Sequence, residues 1–329
     1  MRIHSTLLSG FCLLCVAVSN AQEPYTDPAK ADADFALQGE YSGVVTAGDE
    51  QLTLGVQVIA LGKGKFEAVG YRGGLPGAGW DGNEPNRNQG EKSEDGVVTF
   101  AGKSGDGKPA KGVLKDGTLQ IFLGDQRLAE LKKVERKSET LGMKPPEGAK
   151  VLFDGTNVEH WKGGQMSDDK LLMQGTTSHD EFGSHRLHIE FRLPYQPEAR
   201  GQGRGNSGIY LQGRYECQML DSFGLKGLQN ECGGLYSVKA PDLNMCFPPL
   251  SWQTYDIDYT AAKYEGDKLV ANPRVTIRHN GVVIHNDVEL PGERNTTAAP
   301  KKAGPEKGPI YLQNHGNPVR YRNIWVVEK

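Results

Sequence analysis

The fold of this chain is best predicted from residues 205–222, which read GNSGIYLQGRYECQMLDS. Apolar and polar side chains alternate here with the period of two that is typical of a β-strand. Glu216 and Gln218 therefore share one face of the predicted strand, and the apolar side chains between them share the other. A carboxylate beside an amide, backed by an apolar layer, suits a sugar-binding site.

The rest of the chain also favours strands. It has 43 glycines among 329 residues and scarcely a segment with helical periodicity, so we expect an all-β protein. Residues 275–284 predict a hairpin, because Asn280-Gly281 at its centre is a strong signal for a tight turn. Two further strands repeat the alternating design, and their polar positions are His188, Glu190, Arg192, Tyr311, Gln313 and His315.

Four segments are expected from the composition along the chain. Residues 1–21 resemble a cleavable signal peptide, since a basic start precedes an apolar run and small residues end at Ala21. The apolar run is shorter than the roughly 18 residues that a membrane span needs. Residues 22–134 form a smaller β-rich domain of unknown role, residues 135–150 a linker, and residues 151–329 the second domain. We therefore expect an exported protein, periplasmic or secreted, with no membrane anchor.

The charge and the cysteine content of the chain argue against some classes of partner and metal site. The chain has 38 basic and 41 acidic residues and no Lys/Arg block, which argues against nucleic acid as a partner. Cys217, Cys232 and Cys246 follow the signal segment. Their odd number predicts at least one free thiol. A Cys232–Cys246 bridge is left open, and the absence of a CxxC pair disfavours structural zinc.

The polar strand faces carry the candidate chemistry. In a two-sheet sandwich the inner faces bury apolar side chains, so polar faces point outward, and one outer face can be concave. If the three polar faces meet there, one cleft collects Glu190, Arg192, Glu216, Gln218, Gln313 and His315. The alternative is that Glu190 and Arg192 form a solvated strand face and that His315 is an ordinary loop histidine.

A set of short motifs in order gives the second domain a family resemblance. The motifs are FDG at 153–155, HW at 160–161, LHIEFR at 187–192, NSGIY at 206–210, YECQMLDS at 215–222, GLY at 234–236, PPLSW at 248–252, GPIYLQNHG at 308–316 and YRNI at 321–324. Together they resemble the 3-keto-disaccharide hydrolase family over about residues 149–328. The resemblance implies a jelly-roll sandwich of the concanavalin A type. It also implies cleavage of 3-keto-glycosides by 1,2-elimination and hydration, with a divalent metal ion implicated.

The resemblance suggests roles for the candidate residues. Glu216, His315 and Glu190 are the expected catalytic residues, and Glu216 and His315 are the expected metal ligands. The expected substrate-binding residues are Asn206, Gln218, Asp221, Arg192, Tyr236 and Gln313. The expected partner is a carbohydrate substrate. The oligomeric state is not predicted.

Two other functions compete with this one. Glu216-x-Gln-x-x-Asp221 has the spacing of a glucanase motif, but a retaining glycosidase needs two carboxyl groups, and a neutral Gln218 stands at the middle position. A lectin-like module would bind sugar without turnover. Such a module has no need for a carboxylate, a histidine and amides that converge on one site.

Overall fold

The computed structural model describes residues 23–47, 50–104 and 107–329. The expected signal segment lies outside these residues. The described part is all-β, with two short 3-10 turns at Pro28–Lys30 and Gly201–Gly203. None of its helices has the length and hydropathy needed to cross a bilayer.

The first eight strands form a closed antiparallel barrel. They are β1 (Gly39–Ala47), β2 (Glu50–Gly62), β3 (Lys65–Arg72), β4 (Asn86–Lys92), β5 (Val98–Lys103), β6 (Pro109–Lys115), β7 (Thr118–Leu123) and β8 (Gln126–Val134). Each strand pairs with the next in sequence, and β8 returns to pair with β1. Alternate side chains fill the interior, including Tyr41, Phe66 and Leu131. The barrel therefore has its own apolar core.

The second set of strands forms a two-sheet sandwich. These strands are β9 (Lys150–Phe153), β10 (Trp161–Lys162), β11 (Leu172–Met173), β12 (Thr176–Phe182), β13 (His185–Arg192), β14 (Ser207–Leu211), β15 (Tyr215–Met219), β16 (Trp252–Thr260), β17 (Lys263–Glu265), β18 (Lys268–Ala271), β19 (Arg274–His279), β20 (Val282–Glu289), β21 (Gly308–Leu312) and β22 (Arg320–Glu328). One sheet has the order β10-β12-β21-β14-β15. The other has the order β11-β22-β13-β16-β19-β20, with β9 beside β22, and β17 pairs with β18 separately.

The two sheets pack face to face over one apolar core. Ile189 and Phe191 of the seven-stranded sheet share a cluster with Ile209 and Cys217 of the five-stranded sheet. The hydroxyl of Tyr255 crosses the core and donates to the Gln218 carbonyl at 2.7 Å. Polar side chains that alternate with these residues therefore point away from the core, on opposite sides of the sandwich.

Local features expected from the sequence are present. The predicted Asn280-Gly281 turn joins β19 to β20, and both residues have the positive φ that the turn requires (51° and 85°). Cys217, Cys232 and Cys246 are buried free thiols, so the bridge left open above does not form in this structure.

The segment between barrel and sandwich is docked at Arg136 and at Gly142. Arg136 donates to the Glu40 carboxylate of β1 at 2.6 Å and stacks on Phe247 of the sandwich. Further along, the Gly142 N–H donates to Glu190 at 2.5 Å. This segment therefore ties the barrel to the outer face of the seven-stranded sheet.

Candidate functional site

Glu216 lies on the outer face of the five-stranded sheet. β15 is its edge strand and pairs with β14, which places Glu216 opposite Tyr210 and Gln218 opposite Gly208. Tyr215, Cys217 and Met219 enter the core, so the alternation of the sequence turns Glu216 and Gln218 outward together.

A hydrogen-bond chain converges on the Glu216 carboxylate. The Tyr210 hydroxyl donates to Glu216 Oε2 at 2.7 Å, and Gln313 Nε2 donates to the Tyr210 oxygen at 3.0 Å. These three side chains come from β15, β14 and the end of β21, which are neighbours in the sheet. The sheet therefore fixes the position of the chain Gln313–Tyr210–Glu216.

Burial sets the protonation of Glu216. The residue is only 3% exposed, and this desolvation raises the pKa of its carboxyl to about 7, against a smaller lowering by the Tyr210 hydrogen bond. Burial and the nearby Glu216 charge also raise the pKa of Tyr210, so its phenol stays protonated. A carboxyl group with a pKa near neutrality is suited to accept and return a proton.

Amide side chains surround the carboxylate. In the orientation that satisfies both ends of its amide, the Gln218 nitrogen donates to Glu216 Oε1 at 3.2 Å and to the Ser207 carbonyl at 2.7 Å. Asn206 Nδ2 donates to the backbone carbonyl of Gln202 at 2.8 Å. The buried oxygens Asn206 Oδ1 and Gln313 Oε1 have no partner among the described residues. Buried acceptors of this kind are available to donors such as sugar hydroxyls.

Part of the segment 291–307 covers this cluster. Thr296 is 3% exposed, and its Oγ1 accepts the backbone N–H of Glu216 at 2.9 Å. The Thr297 carbonyl oxygen lies 3.2 Å from the Tyr210 hydroxyl oxygen. At these two residues the segment is anchored beside the site. These contacts place the segment beside Glu216 and Tyr210.

Asp221, Tyr236 and His315 lie around the same cluster. Asp221 is buried and paired with Arg204 at 2.7 Å, behind the turn that follows β15. The Tyr236 N–H donates to the Glu216 carbonyl at 3.1 Å, which holds the half-buried Tyr236 beside β15. His315 is exposed, two residues beyond Gln313.

The expectation of one cleft is wrong for Glu190 and Arg192. Both lie on β13, in the seven-stranded sheet, on the side of the sandwich opposite Glu216. Glu190 is held by Arg322 at 2.6 Å and Asn323 at 2.9 Å. Arg192 does not pair with Glu190 but contacts Asp169 at 3.2 Å. The alternation correctly predicts outward side chains but cannot tell which sheet carries them.

The groups around Glu190 favour the ionised form of its carboxyl. Burial alone would raise its pKa, but hydrogen bonds from His188, Asn323, Arg322 and the Gly142 N–H outweigh it and lower the pKa to about 2. His188 is buried too, and its bonds to Asp256 and Glu190 outweigh that burial and raise its pKa. This set is an ion-paired network under the docked connecting segment.

Three contributors to the Glu216 cluster were not among the predicted site residues. Tyr210 alternates with the buried Ile209 and Leu211, so its outward direction could have been inferred from the strand period. Gln202 lies in the 3-10 turn Gly201–Gly203 and Thr296 lies in a loop, and no periodic signal identifies either residue.

The predicted metal ligands do not form a metal centre. Across residues 23–47, 50–104 and 107–329, no group of three or more His, Cys, Asp or Glu side chains is placed to hold an ion. Glu216 is buried and bonded to Tyr210, whereas His315 is exposed. The residues present do not fit this group, and we derive no chemical step through it.

Comparisons with known proteins identify the sandwich as that of a carbohydrate-active, glycosyl hydrolase-like enzyme. Residues 148–327 match the model of the 3-keto-alpha-glucoside-1,2-lyase-like domain. The chain belongs to this family. No curated protein matches it.

Solved structures from Parabacteroides distasonis ATCC 8503 are similar to the chain. One, named as a candidate glycosyl hydrolase, has 32% identity and a TM-score of 0.51, over 56% of this chain and 85% of that one. A second with the same description has 18% identity and a TM-score of 0.41, over 56% and 94% of the two chains. The first of these supports the sandwich fold.

Proposed function

We propose that this chain is an exported enzyme that cleaves 3-keto-glycosides by 1,2-elimination followed by hydration. The observation that carries the proposal is the buried Glu216 carboxyl, whose pKa of about 7 lets it exchange a proton at neutral pH. Membership of the 3-keto-alpha-glucoside-1,2-lyase-like family supports the substrate class. The apolar run before Ala21 supports export.

The chemistry needs one proton acceptor at sugar C2. A ketone at C3 acidifies the C2 proton, and the ionised Glu216 carboxylate takes it. The C1–O bond then breaks, and the glycosidic oxygen leaves and takes up a proton from water. The hydroxide left from that water adds to C1 of the resulting C1=C2 bond while Glu216 returns its proton to C2. The net result is hydrolysis without an oxocarbenium ion.

The neighbouring side chains position the base and the sugar. Tyr210 orients Glu216 Oε2, and Gln218 engages the other carboxylate oxygen. The unpartnered oxygens of Asn206 and Gln313 would accept sugar hydroxyls once the cover opens. The half-buried ring of Tyr236 would form part of the wall.

The remaining predicted residues have supporting places in the proposal. Asp221 orders the turn behind the site through Arg204. His315 would contact substrate at the rim of the opened cluster, two residues from Gln313. Glu190 and Arg192 have no substrate role, because they lie on the other face.

A two-carboxylate glycosidase fits the site less well. Burial raises the pKa of Glu216 and the Tyr210 bond lowers it, with no contribution from another carboxylate. Asp221, the nearest acid along the strand, is committed to Arg204. A retaining glycosidase needs a second carboxyl roughly 5–5.5 Å from the first.

The proposal is tested with a nitrophenyl 3-keto-glucoside, its unoxidised parent, and the 3-keto compound deuterated at C2. We expect release of nitrophenol from the 3-keto compound only, with a primary isotope effect at C2. Equal cleavage of the parent would establish a conventional glycosidase. Saturable binding without turnover would establish a lectin-like module.

The predicted divalent ion needs a separate arm of this assay. If the family expectation holds for this chain, EDTA abolishes turnover and added metal ion restores it. Turnover that survives chelation contradicts the metal prediction and leaves the proton-transfer role of Glu216 intact.

A further inference from the structure

A large cavity lies where the barrel, the connecting segment and the sandwich meet. Its volume is about 850 Å³, within the range of roughly 300–1,000 Å³ that small-ligand sites occupy. The residues that matter for its chemistry are Gln38, Lys133, Arg136, Lys137, Trp252 and Arg322. We call it the junction cavity. It adjoins the seven-stranded sheet and is separate from the Glu216 cluster.

One buried donor in the cavity wall has no acceptor. Gln38 is 3% exposed, and its Oε1 accepts the Ala60 N–H at 3.1 Å. Its Nε2 has no hydrogen-bond partner among the described residues. The amide nitrogen of Gln38 is therefore a donor that a ligand in the cavity can engage.

The charged groups around the cavity leave an excess of donors. Arg136 is paired with Glu40 at 2.6 Å. When this pair and the Arg322–Glu190 pair are set aside, Lys133 and Lys137 face a single carboxylate, Glu135. Lys133 donates to the Ala36 carbonyl at 2.6 Å. Lys137 has no ion pair within the described part of the chain and is exposed at the mouth.

A rigid aromatic surface lies beside these donors. The Arg322 guanidinium stacks on the Trp252 ring at 3.9 Å, and Glu190 holds that guanidinium from behind. The ring and Glu190 thereby hold the Arg322 guanidinium in a fixed position, where its N–H donors suit the hydroxyl and carboxylate oxygens of a sugar.

We propose that the junction cavity binds an acidic carbohydrate, an oligosaccharide that contains uronic acid, and that the barrel is thereby an accessory binding element. The sugar class follows from the carbohydrate-active family of the second domain. The acidic group follows from the unpaired donors Gln38 and Lys137. The proposal does not depend on the chemistry at Glu216.

The test is calorimetric titration of the full chain with trigalacturonate and with the neutral trisaccharide maltotriose. We expect saturable binding of one trigalacturonate per chain, with maltotriose about tenfold weaker or more. Lys137→Glu should weaken trigalacturonate binding by about tenfold or more, because it reverses the charge at the mouth. Gln38→Glu should weaken it as well, because it replaces the free donor by an acceptor of the same shape.

Lys162→Glu is the matched control, since it makes the same charge change at an exposed site on β10, and it should bind as the wild type does. Thermal melting checks that Gln38→Glu folds. If Gln38→Glu does not fold, Lys137→Glu still tests the proposal. Absence of saturable binding, equal affinity for maltotriose, or an equal loss in Lys162→Glu overturns the proposal. Glu216→Gln should bind trigalacturonate normally, which separates this test from that of the proposed function.

Discussion

The two outer faces of the sandwich each bury one glutamate, but the two surroundings have opposite effects. Glu216 lies among amides and a phenol, without a cation, and its pKa rises to about 7. Glu190 lies against Arg322 and His188, and its pKa falls to about 2. Both side chains are almost fully buried, at 3% and 1% exposure, so burial does not separate them. The partners do.

This difference assigns the two faces different tasks. A carboxylate stabilised in its charged form by an arginine and a histidine holds structure together, and here it also holds the Gly142 N–H of the connecting segment. A buried carboxyl without a cation is unstable when charged and ready to take up a proton. The same substitution at Glu216 and at Glu190 tests this difference between the two faces.

The largest expected effect is that of Glu216→Gln on turnover. Removing the proton acceptor while keeping the shape should lower kcat/KM for the 3-keto-glucoside by about 10²–10⁴-fold, the usual contribution of a general base. Glu265→Gln, an exposed glutamate on β17, is the control and should retain activity. Activity of Glu216→Gln within a few-fold of wild type would place the base elsewhere.

Glu190→Gln should instead affect stability. Loss of its charge leaves Arg322 without its carboxylate and His188 with Asp256 alone, and we expect a decrease of about 1–3 kcal/mol in the free energy of unfolding at pH 7. Because the pKa of Glu190 is lowered on folding, this contribution is present above about pH 4.5 and lost as pH falls toward 2. Urea unfolding at several pH values measures it.

Glu216→Gln should change stability in the opposite direction. The raised pKa of Glu216 means that ionisation opposes folding increasingly between pH 4.5 and about 7, so the neutral glutamine should be as stable as wild type or more so above pH 7. Equal destabilisation by the two Glu→Gln variants would contradict the contrast between the faces.

The pH dependence of turnover sharpens the contrast further. As a base, Glu216 acts when ionised, so kcat/KM should rise with pH through about 7 and then level. Tyr210→Phe removes a hydrogen bond that lowers this pKa, so the midpoint should move to higher pH. A rise of one pH unit would reduce activity at pH 7 by about fivefold. An unchanged midpoint would show that another group titrates.

The sequence predicts which side chains of the five-stranded face point outward. It does not predict which strands share a sheet. Strand alternation correctly turns Glu216 and Gln218 outward and Cys217 inward. The same pattern turns Glu190 outward, but which sheet holds β13 depends on long-range pairing, and each sheet interleaves strands that are distant in the chain. The anchoring of Thr296 over Glu216 is likewise a loop contact across 80 residues, without periodicity to reveal it.

The smallest expected effect is that of His315→Gln. His315 is exposed, and no described residue forms a hydrogen bond or ion pair with its ring, so the substitution should leave thermal stability unchanged. At the rim of the site it should lower kcat/KM by less than about tenfold and leave the midpoint near pH 7 in place, since Glu216 sets that midpoint. A loss as large as that of Glu216→Gln would instead mean that the segment after β21 folds over the opened cluster and brings His315 to the reacting atoms. The five-stranded face would then hold two proton-transfer groups, and its contrast with the structural network around Glu190 would be greater still.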